Sequence, residues 1–86
     1  MKIETKLDIG DRLLVKIDEE REELVRVIRI DIFSMDRGCY ALEYTLDLLY
    51  CERDGDNVIE HHVMVPEHRI EEIEGRLVYD YSKWRR

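Results

Sequence analysis

Tyr40-Ala41-Leu42-Glu43-Tyr44-Thr45-Leu46-Asp47-Leu48-Leu49-Tyr50 places an aliphatic or aromatic side chain at every even position. Successive side chains of a β-strand point to opposite faces, so a two-residue period gathers all six onto one apolar face, whereas a helix would scatter them around its axis. This stretch therefore predicts a long central strand, and the rest of the chain can be registered against it.

On its N-terminal side, Leu24 to Phe33 holds Val25, Val27, Ile28, Ile30 and Ile32, a β-branched density suited to a pleated surface. Val25 and Val27 share one parity and Ile28, Ile30 and Ile32 the other. A β-bulge near residues 27 and 28 would shift the phase in this way and bend the strand. Asp36-Arg37-Gly38 has the form of a three-residue hairpin loop, a type I turn with Gly38 in the left-handed position. Setting Met35 opposite Cys39 then pairs Ile32 with Leu42, Ile30 with Tyr44 and Ile28 with Leu46. A slip of one residue would set apolar against polar along the whole hairpin.

On the C-terminal side, Glu52 to Asn57 contains Asp54-Gly55 and reads as a loop. Ile59, His61, Val63 and Val65 supply the inward parity of the next strand. With Cys51 opposite Val58 they face Tyr50, Leu48, Leu46 and Tyr44, and Asp47 lies opposite His62 on the outer face. Pro66 ends that strand because it lacks an N–H to donate, and Glu67-His68-Arg69-Ile70 suits one helical turn. After Gly75, Leu77, Tyr79 and Tyr81 alternate as a final strand.

Nearer the start, Leu7-Asp8-Ile9-Gly10-Asp11 reads as a lead-in and turn before a first strand with Leu13, Val15 and Ile17 on one face. A charged run, Asp18 to Glu23, connects it to the second strand. The competing reading is a continuous helix over residues 11–30, since Leu13, Leu14, Ile17, Leu24 and Ile28 also fit a helix face. The strand reading adds up to an all-β chain: a small antiparallel five-stranded SH3-like barrel with one short helical turn before the last strand. It is a single domain over 1–86, with the barrel core at about 7–81 and a flexible C-terminal tail, 82–86.

The chain has 86 residues, of which 41% are charged and 44% hydrophobic, with a net charge of −7. A single thin core under a densely ionised surface is expected at this size. The absence of a long apolar run and of a signal-like start points to a cytoplasmic protein. Cys39 and Cys51 lie at opposite ends of the central strand, roughly 40 Å apart if it is straight. They cannot then form a disulfide, which suits a reducing compartment.

Leu7-Asp8-Ile9-Gly10-Asp11-Arg12-Leu13, a β-branched strand, a Tyr-bearing strand and then Val65-Pro66-Glu67-His68-Arg69-Ile70 resemble the layout of small barrel proteins of phages, prophages and other mobile elements, which are similar to SH3, Tudor and KOW-type barrels. The resemblance covers roughly residues 7 to 73. It implies the fold and carries no functional residue with it. The twelve-residue central strand and the Trp84-Arg85-Arg86 tail lie outside that layout.

His61, His62 and His68, with Cys51 or Asp47, are the residues to weigh as metal ligands. Neighbours in a strand face opposite ways, so His61 and His62 cannot chelate one ion, and no Cys-x-x-Cys or His-x₃-His spacing is present. No metal and no cofactor are expected. Thr5, Ser34, Thr45 and Ser82 stand in no elbow or triad context, and there is no Gly-rich phosphate loop, so the chain does not read as an enzyme.

Charge distribution says more. Glu43, Asp47, Glu52, Asp54, Asp56, Glu60, Glu67, Glu71, Glu72 and Glu74 face only Arg53 and Arg69 between Glu43 and Glu74, a formal −8. Such a field repels nucleic-acid phosphates and attracts basic protein surfaces. The expected function is a non-enzymatic acidic module that binds a protein with a basic surface. A first alternative is a phage-type inhibitor, anti-CRISPR or anti-restriction, mimicking nucleic acid in a basic channel. A second is direct nucleic-acid binding through the aromatic-basic patch Trp84, Arg85 and Arg86, against which the pI of about 4.9 counts. Trp84, Leu14 and Leu49, if exposed, are also compatible with a homodimer.

Overall fold

The computed structural model describes residues 3–84. Six strands form one sheet: β1 (Arg12–Lys16), β2 (Glu22–Ser34), β3 (Tyr40–Asp54), β4 (Asn57–Pro66), β5 (Glu71–Ile73) and β6 (Arg76–Asp80), followed by a single helical turn, α1 (Tyr81–Trp84). The chain is all-β, and residues 11–30 are strand, loop and strand rather than a helix. The connection between β1 and β2 is closed by Asp18, whose Oδ1 accepts from the amides of Glu20 and Arg21 at 2.8 Å each. A short side-chain acceptor at this place offers the backbone a turn instead of a helix.

The strand order is β4-β3-β2-β1-β6-β5. All neighbouring pairs are antiparallel except β1 and β6, which run parallel with Leu14, Val15 and Lys16 beside Val78, Tyr79 and Asp80. Three features of the expected barrel are thereby corrected. There are six strands rather than five, because Glu71–Ile73 forms a short strand ahead of the last one, and the sheet is mixed. It is also not closed: β4 and β5 are its edges.

The β2–β3 hairpin carries the expected register at its loop end, with Ile32 opposite Leu42 and Ile30 opposite Tyr44. A bulge falls between Val27 and Arg29, where the apolar parity changes. Because of it Leu46 pairs with Val27 and not with Ile28, and Ile28 points outward. The Asp36–Gly38 loop is a 3₁₀ turn in which Arg37, at φ 66°, is left-handed along with Gly38, so it is not the expected type I turn.

Between β3 and β4, Tyr44 faces Val65 as expected, but a second irregularity between Thr45 and Leu49 moves the rest of the register by two residues. Val58 faces Arg53 instead of Cys51, and His62 faces Leu49 instead of Asp47. A shift of two keeps every side chain on its face. The displaced residues lengthen the ladder to Asp54 and Asn57, leaving a loop of only Gly55 and Asp56 where residues 52–57 were expected. Gly55, at φ 63°, holds the first loop position, the one that needs positive φ in a type II′ turn.

The core gathers Leu13, Val15, Val25, Val27, Tyr44, Leu46, Val63, Val65 and Tyr79, with Leu7, Ile17 and Ile70 closing its rim. Of the opening stretch, Leu42, Tyr44 and Leu46 are buried and Leu48 is partly so, while Tyr40 and Tyr50 emerge at either end. Strands β2–β4 thus run past the core, and the molecule is elongated, 47 × 32 × 22 Å. The last strand ends at Asp80. Tyr81, expected on its inward parity, opens α1 instead and still packs on the core.

Candidate functional site

The ten carboxylates between Glu43 and Glu74 are separated by the fold into four settings. Glu52 and Asp54 at the end of β3, Asp56 in the loop and Glu60 on β4 share the projecting end of one hairpin, and all four are exposed. Register places Cys51 beside Glu60 and Glu52 beside Ile59, so these carboxylates lie within a few residues of one another along two paired strands. Arg53 is the one cation between Glu52 and Glu60. Glu71, Glu72 and Glu74 belong to β5 and its turn, at the opposite end of the strand order, where Lys83 Nζ approaches Glu71 at 3.7 Å. Glu43 lies across from Asp31 on β2, and Asp47 is exposed at the β3 irregularity.

Glu67 is not part of a free surface. Its Oε2 accepts from the Tyr44 hydroxyl at 2.5 Å and from the Lys6 amide at 3.2 Å. The same hydroxyl accepts from the amides of Lys6 and Leu7, at 3.0 and 3.3 Å. Tyr44 is fully buried, and its phenol is pushed up to about 12 by desolvation first and by the hydrogen bond to Glu67 second, with the Leu7 and Lys6 amides pulling the other way. This cluster ties the segment before β1, the middle of β3 and the turn after β4 into one unit, which is a structural task.

Around the histidines, the His61 ring stacks on Tyr50 with centroids 5.2 Å apart. Its Nε2 lies 3.0 Å from Glu52 Oε2, but the two are not aligned as a hydrogen bond. His62 projects from the other face of β4 and is exposed. Among the described residues, no three His, Cys, Asp or Glu side chains converge as metal ligands. Cys39 and Cys51 are both free and exposed. Ser82 Oγ donates to Asp80 Oδ1 at 2.6 Å, and the Lys83 amide donates to the same oxygen at 3.2 Å. Those contacts cap α1, and they hold the Asp80 carboxyl below the usual range, the Ser82 hydrogen bond contributing most.

The C-terminal patch is rearranged by the turn of α1. Arg69 lies over the Trp84 ring, 4.4 Å from its centroid, and Lys83 is 5.3 Å from it. The cations nearest the indole are therefore the chain's own, an arrangement worth about 0.5–1 kcal/mol where exposed. Arg69 also neighbours the buried Tyr79 phenol, which desolvation raises and the guanidinium lowers. Tyr50, His62, Met64, Tyr81 and Trp84 line a groove of about 1020 Å³ between the β3–β4 strands and α1. Arg85 and Arg86, expected to complete the patch, lie outside the described residues.

The groove and the Tyr44–Glu67 cluster escaped the sequence reading, since both depend on which residues the bent sheet brings together. One signal for the latter was present: Glu67 is an acid set immediately after a strand-ending proline. No helix of the described residues is long and apolar enough to cross a membrane. No protein family, curated protein or solved structure matches the chain.

Proposed function

We propose that this chain is a non-enzymatic binding module that holds a basic protein surface through the acidic end of its β3–β4 hairpin. The observation that carries the proposal is the gathering of Glu52, Asp54, Asp56 and Glu60 on one exposed, projecting element with Arg53 as their one cation. Carboxylates so placed steer a positively charged partner toward the hairpin and set its orientation. The sheet is read as an opened SH3-like barrel. Supporting this are a bulge in each of the two long ladders, a 3₁₀ turn after β4, and a last strand that lies beside the first. The likeness to small barrels of mobile elements belongs to the same reading, as does a cytoplasmic setting.

The inhibitor reading has less behind it, because mimicry of a phosphate track asks for a continuous line of charge and the carboxylates fall into separate groups. The C-terminal reading is weakened by the two cations already over Trp84. Affinity capture from a cell lysate with and without nuclease, at low and high salt, tests the assignment, comparing the native chain with a Glu52→Gln, Asp54→Asn, Asp56→Asn variant. A bound protein released both by salt and by the triple substitution is the expected result. Retention indifferent to the substitutions, or recovery of nucleic acid alone, overturns it.

A further inference from the structure

Among the described residues β4 has one hydrogen-bonded neighbour, β3, and its other edge is open along ten residues, Asn57-Val58-Ile59-Glu60-His61-His62-Val63-Met64-Val65-Pro66. Open edges are normally blunted by brevity, by charge, by proline or by a bulge. The opposite edge follows that rule, since β5 has three residues and two of them are Glu71 and Glu72. β4 does so only weakly: its one carboxylate is Glu60, it carries no lysine or arginine, and its proline is its last residue. Three of its hydrophobic side chains are exposed, Val58 at 58%, Ile59 at 43% and Met64 at 50%.

The two-residue Gly55-Asp56 loop makes the flanking Asp54 and Asn57 a hydrogen-bonded pair, and such pairs alternate with unbonded ones along an antiparallel ladder. Main-chain groups of Asn57, Ile59 and His61 therefore turn toward β3. Those of Val58, Glu60 and His62 turn outward, with their side chains all on the face away from the core.

We propose that this edge pairs with the same edge of a second copy, antiparallel about a two-fold axis at His61. The sequence is self-complementary about that residue and no other nearby. Centred on His61, Val58 lies opposite Met64, Ile59 opposite Val63, and Glu60 opposite His62, each pair occurring twice by symmetry. Away from the axis, where His61 meets its own copy, each of these contacts is apolar with apolar, or acid with imidazole. Moving the axis to Glu60 sets two carboxylates against each other and Val58 against His62. Moving it to His62 sets Glu60 against Met64 and Val58 against Pro66, which has no N–H to give. The outward main-chain groups of Glu60 and His62 are those that the His61-centred ladder requires. The inference shares Glu60 with the acidic-hairpin reading but does not rest on it, and that reading is tested at Glu52, Asp54 and Asp56, none of which lies on β4. A paired edge is smaller than a standard interface, which places its affinity in the micromolar range or weaker.

Sedimentation equilibrium over a rising concentration series should show a monomer–dimer equilibrium for the native chain. His62→Glu puts like charges opposite each other twice and should raise the dissociation constant about tenfold. Adding Glu60→Lys to it restores opposite charges and should recover the native value, which a merely misfolded variant would not do. With Cys39 and Cys51 replaced by serine, His61→Cys should form an intermolecular disulfide on mild oxidation, because the two residues meet at the axis, whereas Ile59→Cys should not. A chain that stays monomeric throughout, or that cross-links as readily through residue 59 as through residue 61, overturns the proposal.

Discussion

Tyr44 shows what a single side chain does when its ring and its hydroxyl have different tasks. The ring is central to the core, and the hydroxyl joins Lys6, Leu7 and Glu67. Tyr44→Phe keeps the ring but takes the acceptor from the Leu7 amide and one donor from Glu67, while the Lys6 amide keeps Glu67, a loss of about 1–3 kcal/mol in chemical denaturation. The phenol also dictates an alkaline response. Its folded-state pKa, about 12, lies above the unfolded value of 10.0, so the native state holds the proton longer and the stabilisation is complete below pH 10. Between pH 10 and 12 stability should fall by up to about 2 kcal/mol, and the phenylalanine variant should lack this part of the decline in urea titrations across that range. Burial raises Tyr79 in the same direction. The alternation from Tyr40 to Tyr50 identified Tyr44 as a core residue because strand periodicity reports where Cβ points. It carries no information on what the far end of a long side chain meets, and the Glu67 contact was therefore invisible.

At the level of elements, faces were easier to read than partners. The parity change between Val27 and Ile28 announced the bulge at that place, since a core cannot accept both parities on one face without one. The two-residue shift opposite Val63 left no such mark: it returns every side chain to its own side, so the alternation looks the same with it or without it. Glu71-Glu72-Ile73 did not read as a strand because it is short, carries two carboxylates and lies on an edge where neither face is buried. Turn chemistry was only half visible as well. Gly38 and Gly55 mark loops by their residue type, whereas Arg37 occupies a left-handed conformation that its own type disfavours. Arg37→Asn, which tolerates that conformation better, should stabilise the protein by about 0.5–1 kcal/mol, read as a higher urea midpoint with an unchanged denaturant slope.

Across the whole molecule, the −7 charge is spread unevenly over an elongated sheet, with acidic groups at the β3–β4 tip and along β5. Self-repulsion of this kind destabilises the compact state and is screened by salt. The thermal midpoint should therefore rise when sodium chloride is increased from about 0.01 to about 0.15 M, over which the Debye length shrinks from roughly 30 to 8 Å. A midpoint that falls would place the dominant charge interactions in attractive pairs instead. The total charge was evident from the residues, but its division between two ends of the strand order was not, because contiguous sequence positions 43–74 cross from one edge of the sheet to the other. The parallel pairing of β1 with β6 was equally out of reach, since neither strand pattern encodes the direction of its neighbour. That pairing also bears on how the chain reaches its native state. β2, β3 and β4 find one another through two tight turns, whereas Leu14 must meet Val78 across nearly the whole chain. The local hairpins can form first, and the entropy of closing this longest loop then sets the height of the folding barrier. Until β6 arrives, β1 is left with a bare flank, and the half-built sheet exposes a five-residue edge that the finished protein covers.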